Sequence, residues 1–177
     1  MVDVNNDSAA AADEATTRRQ VTDAVQLFFD ARLRDRRRAA ATADDDDVVD
    51  APPPPVIVAM QRLAREAMAR EGERITSMAN DMSRAGDDGD VTSAFTAVAR
   101  ELFVDGVRSW HQVVTLATFA AEAAAAASAD DDGAYAQAVR RWLGECVSQD
   151  AVVAFVRDNG GLVSIRRNSF MKKLTNS

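Results

Sequence analysis

A chain of 177 residues can bury one sizeable core and is too short for two comfortable domains. Alanine is abundant, aromatic residues make up 6%, and the 8 glycines and 4 prolines fall mostly in loops. That balance favours helices, because alanine costs least in a helix and strand-forming aromatics are missing. A formal net charge of -7 opposes binding to nucleic acid or anionic lipid.

Residues 1–17 are polar and rich in Ala and Asp, which predicts a disordered N-terminus. The period of Val21, Val25, Phe28 and Phe29 predicts a first helix over 18–33. Arg36, Arg37 and Arg38, the aspartates 44–47 and the prolines 52–55 then predict a long solvated loop at about 35–55. From Val56 the helical period resumes with Met60, Ala64, Ala67, Met68, Ile75, Met78 and Met82, interrupted at Gly72 and stopped at 86–89. Asp90 is placed to cap the next helix, which carries Val91, Ala94, Phe95, Val98 and Leu102.

A turn at Asp105 and Gly106 separates that helix from an apolar one over 109–127. No window reaches the roughly 20 apolar residues of a membrane span. The nearest, 113–127, is broken by Glu122 and reads as the buried centre of a bundle. The acids 130–132 with Gly133 start another helix, whose face is Tyr135, Val139, Trp142, Leu143, Cys146 and Val147. Short helices over 151–156 and 162–170 flank Asn159, Gly160 and Gly161, and 171–177 is a polar tail. The sum is seven or eight helices around one nearly all-apolar helix.

One cysteine and no hydrophobic signal segment predict a reducing, intracellular setting. Cys146 reads as a small packed hydrophobe, or, if exposed, as the link of a disulfide-bonded homodimer. With one His and one Cys there is no triad and no zinc set. The acidic clusters lack the alternating spacing of a calcium loop, and no glycine-rich phosphate loop follows a strand. Neither an enzyme nor a cofactor is expected.

Two strings carry a family likeness. Residues 101–119 read ELFVDGVRSWHQVVTLATF, and residues 155–161 read FVRDNGG. The first resembles the first homology motif of the Bcl-2 family of apoptosis regulators, usually ELFxDGVxNWGR followed by an apolar helix. The second resembles that family's second motif, usually WIQENGGW. More loosely, MAREGERI at 68–75 resembles the family's death motif, LxxxGD with an apolar residue two further on, with Met68 for Leu and Glu73 for Asp. An ordinary amphipathic helix with Gly72 for close packing reads that segment equally well.

The resemblance covers roughly residues 18–170. It implies an all-α, Bcl-2-like bundle around a central hydrophobic helix, with a long variable loop after the first helix. It also implies a hydrophobic groove that sequesters the amphipathic death-motif helices of pro-apoptotic Bcl-2 proteins, an anti-apoptotic role. Such a ligand presents apolar anchors at i, i+4, i+7 and i+11, and the receptor needs matching pockets. Ile75, Met78, Met82, Val98, Leu102, Val113 and Phe119 are the candidates, with Asp105, Ser109, His111 and Gln112 completing the site. For Met78 and Met82, core and adaptable groove floor are equal readings.

Departures from the family pattern matter as well. The family's Asn-Trp-Gly-Arg is Ser109, Trp110, His111 and Gln112 here. In the family the glycine admits the ligand helix and the arginine pairs with its aspartate. Gln112 can donate a hydrogen bond to a carboxylate but brings no charge. Loss of a desolvated charge pair costs on the order of 2–5 kcal/mol, so narrower or weaker selection is expected. A protonated His111 would partly replace the cation and tighten binding at low pH; otherwise it is simply solvated.

Divergence, compactness and alanine content suit a viral homologue from a GC-rich genome, acting in the cytoplasm with or without peripheral attachment at mitochondria. Three other roles stay open on this fold: a viral decoy of immune signalling, a pro-apoptotic pore-forming effector, and a structural bundle without a groove. No transmembrane anchor is expected within this chain.

Overall fold

The computed structural model describes residues 4–40, 52–85, 91–127 and 133–165. Among these residues the chain forms six α-helices and no strand: α1 (Val4–Ala40), α2 (Pro55–Ala85), α3 (Val91–Leu102), α4 (Trp110–Ala127), α5 (Ala134–Val147) and α6 (Asp150–Asp158). The count is lower than seven or eight for two reasons. The α2 helix is two arms joined at Glu71, whose φ of -132° and ψ of 16° lie off the helical values, next to the Gly72 that interrupts the sequence period. The last helix expected from the sequence, over 162–170, falls largely outside the described residues. The Asp90 cap, the acidic clusters 44–47 and 130–132, and the tail 171–177 also lie outside them.

Helix α1 departs furthest from expectation. It begins at Val4 rather than near residue 18 and runs on to Ala40, through the first part of the expected loop. Polarity was the wrong guide, because alanine favours helix whatever its exposure. The Thr16 hydroxyl donates to the Ala12 carbonyl at 2.8 Å, and Glu14 pairs with Arg18 one turn on at 2.7 Å. Arg18 also donates to the Ser148 carbonyl and meets Asp150 at 2.9 Å, which ties α1 to the start of α6.

Helix α4 is the centre, with α1, α2, α3 and α5 all packed on it. A helix apolar on every side needs burial on every side, and twelve of its 18 residues are buried. The alanines 120, 121, 123 and 124, each 0% exposed, let neighbouring helices approach closely. Val21, Val25, Phe28 and Phe29 of α1 and Ile57 and Met60 of α2 fill the space beside them. Burying each of the larger side chains contributes roughly 1.5–3 kcal/mol.

One charge interrupts this apolar centre. Glu122 is 3% exposed and meets Arg32 at 2.7 Å and Arg36 at 2.8 Å, both from α1. Among the described residues no helix is long and apolar enough to cross a membrane.

Candidate ligand groove

The first family-like string makes a corner. Helix α3 ends at Leu102, the Gly106 N–H donates to the Phe103 carbonyl at 2.8 Å, and Gly106 takes a φ of 83°. Only glycine adopts that φ without strain, which explains its place in the motif. Helix α4 then opens with a capping box. The Ser109 Oγ accepts from the Gln112 N–H at 3.3 Å, and Gln112 Oε1 accepts from the Ser109 N–H at 3.1 Å and the Arg108 N–H at 2.8 Å. Gln112 Nε2 donates to the Leu102 carbonyl at 2.9 Å and to the Gly106 carbonyl at 3.4 Å. Both ends of this amide are therefore used inside the chain. The expectation that Gln112 donates to a ligand carboxylate is corrected on that ground.

The second string ends a helix. The Gly161 N–H donates to the Val156 carbonyl at 2.8 Å and the Gly160 N–H to the Arg157 carbonyl at 3.2 Å, with φ of 72° and 87° at the two glycines. This is a Schellman stop, and it demands residues tolerant of positive φ. The two strings meet in space. Trp110 packs edge-on against Phe155 with ring centroids 5.8 Å apart, and its Nε1–H donates to Ser164 Oγ at 2.9 Å.

Between the second arm of α2, α3 and α4 lies an apolar trough with a cavity of about 290 Å³. Its floor and walls are Ile75, Met78, Val98, Leu102, Leu116 and Phe119, with Gln112 and Thr115 also lining it. Phe119 is held from behind by Phe95 at 5.4 Å, which in turn stacks on Trp142 at 4.9 Å. The wall is therefore rigid, while the half-buried Met78 opposite it is free to change rotamer.

Six of the residues expected from the sequence come together here: Ile75, Met78, Val98, Leu102, Gln112 and Phe119. The other five do not line the trough. Val113 is wholly buried in the core, because on a helix it sits about 100° around from Gln112 and the stripe that continues through Thr115, Leu116 and Phe119. Met82 packs partly buried against the core, one turn past Met78. Asp105 is exposed and 3.9 Å from Arg108, and Ser109 is spent as the cap. His111 is half-buried on the first turn of α4.

Sequence reasoning missed Glu71, Arg74, Glu101, Thr115 and Leu116. Thr115 and Leu116 were within reach of the helical count, at three and four residues from Gln112. The three charged residues look like any solvated face. In the looser death-motif segment, Met68 packs against the core while Ile75 lines the trough. A Cβ on Gly72 would meet Met68 Cε at 3.5 Å, ordinary contact, so this glycine is not there for close packing.

Comparisons with known proteins agree with this geometry. The family model for apoptosis regulator proteins of the Bcl-2 family matches residues 60–161. No curated protein matches the sequence. Among solved structures, the crystal structure of chicken BOK is similar with a TM-score of 0.65 at 21% identity, covering 85% of this chain and 98% of that one. The zebrafish pro-survival protein NRZ, in complex with Bad BH3, gives a TM-score of 0.68 at 17% identity, covering 88% and 99%. The solution structure of human BOK gives 0.58 at 24% identity, covering 85% and 99%. Identities this low show the fold alone. The family match spans more than half of the 177 residues, and on that ground the chain belongs to the Bcl-2 family of apoptosis regulators.

Proposed function

We propose that the protein is anti-apoptotic and acts by sequestering the death-motif (Bcl-2 homology 3) helices of pro-apoptotic Bcl-2 proteins. The observation that carries this reading is the trough itself. Ile75, Met78, Val98, Leu102, Leu116 and Phe119 form an apolar floor open to solvent between three helices. A monomer has no use for such a feature unless something covers it. Its cavity takes one or two apolar side chains of an amphipathic helix, as in helix-in-groove recognition. The likeness to NRZ, a pro-survival protein solved with a Bad BH3 segment, supports the same occupant.

Calorimetric titration with a panel of death-motif peptides tests the reading. Sub-micromolar binding to at least one peptide is expected, and Leu102→Glu abolishes it. Leu102 is only partly buried at the trough edge, so that variant keeps its fold, which circular dichroism checks. Silence across the panel from a folded sample, or binding that survives Leu102→Glu, overturns the proposal.

A further inference from the structure

The charges around the trough point to the chemistry of its ligand. Among the described residues that line it, only Glu71, Arg74 and Glu101 are ionised. Arg74 lies between the two acids, 3.8 Å from Glu71 and 3.6 Å from Glu101. Its charge is thus already countered, and the rim is left with a net charge of one minus. At the loop end, Asp105 and Arg108 counter each other at 3.9 Å. Gln112 offers no free donor, because its amide nitrogen serves the Leu102 and Gly106 carbonyls. The chain as a whole carries -7, which adds a long-range field of the same sign.

We infer that this groove selects amphipathic helices carrying a lysine or arginine beside the apolar anchors, opposite Glu71 and Glu101, and disfavours an acidic residue there. The inference rests on the trough being a helix-binding groove. It reverses the expectation, drawn from the family pattern, of a ligand aspartate meeting a cation at the start of α4. The side chains of Glu71, Arg74 and Glu101 are 55%, 65% and 75% exposed, so the preference is a modest one, set in water and sensitive to salt. A cationic partner also raises the association rate more than it slows dissociation.

The test is a peptide set with fixed apolar anchors, in which each flanking polar position is made Lys, Gln or Asp in turn. Affinities are measured at low salt and at about 0.5 M salt. At one or two positions the Lys form is expected to bind about three- to fivefold tighter than the Asp form, as exposed pairs allow. The difference should shrink at high salt, narrow in Glu101→Gln and widen in Arg74→Gln. Equal binding of the Lys and Asp forms at every position overturns this inference and leaves the groove standing. Tighter binding of the Asp form, lost in Arg74→Gln, overturns it too and makes Arg74 the ligand's partner. No binding by any peptide removes the groove reading and the inference with it.

Discussion

Ser109 and Gln112 hold each other across the first turn of α4, each side chain accepting from the other's backbone N–H, at 3.3 and 3.1 Å. The same glutamine reaches back to the last carbonyl of α3, so one side chain sets the corner on which the trough is built. Gln112→Ala should therefore destabilise the fold by about 1–3 kcal/mol, a cap plus bonds to two carbonyls. Gln112→Glu keeps the accepting half and sets an anion against the Leu102 and Gly106 carbonyls, so it should not restore full stability. Urea unfolding at unchanged m-value reads the difference. A loss under about 0.5 kcal/mol in the alanine variant would show that the corner holds without the latch.

The buried Glu122 sets a second expectation. Removing one member of a buried ion pair strands the other, at about 3–5 kcal/mol. Arg32 is the member at risk, with a side chain only 18% exposed, whereas Arg36 at 47% can turn to water. Arg36 is near enough to Glu122 Oε2 for an ion pair yet makes no aligned hydrogen bond to it, and Arg32 Nε is buried without one. An incompletely satisfied cluster of this kind is replaceable by apolar groups. Glu122→Ala should accordingly be severe, and Glu122→Leu combined with Arg32→Leu should recover most of the loss. A double variant as unstable as the single one would contradict this account.

What the sequence made legible is local. Gly106, Gly160 and Gly161 announce turns through the backbone angles only glycine takes easily, and the boundaries of α4 follow from an unbroken apolar run. The six trough residues lay on period-matched faces, so counting turns found them. Long-range features were hidden. Nothing adjacent to Gln112 says that its amide closes on Leu102, ten residues earlier. Val113 was misplaced by a single residue's rotation, and α1 was cut short because polarity was weighed above alanine's propensity. Arg74 joins Glu101 only because the second arm of α2 packs beside α3.

Cys146 sits 5% exposed in the trough behind α3, beside Phe103 and Trp142. A disulfide-linked homodimer needed this thiol exposed, and it is buried. Burial pushes its pKa up to about 11 from an ordinary 9.0. With the folded value raised, stability is insensitive to this group below about pH 9 and is lost as pH rises from there to about 11, because the unfolded thiol ionises first. Burial raises the Tyr135 phenol as well, so the difference between wild type and Cys146→Ala isolates the thiol. At pH 8 the native protein should be alkylated about 100-fold more slowly than the unfolded chain, on thiolate fraction alone. Equal rates in the two states would mean an accessible, unperturbed cysteine.

Thr115 lines the ligand trough, yet its hydroxyl is buried with no hydrogen-bond partner among the described residues. Thr118, on the same helix, satisfies its own hydroxyl by donating to the Val114 carbonyl at 2.7 Å. A hydroxyl buried without a partner costs about 1–3 kcal/mol by mutational measure. Valine has nearly the same shape and removes the cost while keeping β-branched packing against Leu116 and Phe119. Thr115→Val should thus raise stability by about 1 kcal/mol in urea unfolding and leave peptide binding unchanged or tighter. If the variant is instead less stable, the hydroxyl is engaged in the free protein. If stability rises while affinity falls, the hydroxyl is held unpartnered for a polar group on the ligand, and the trough trades stability for recognition at that one position.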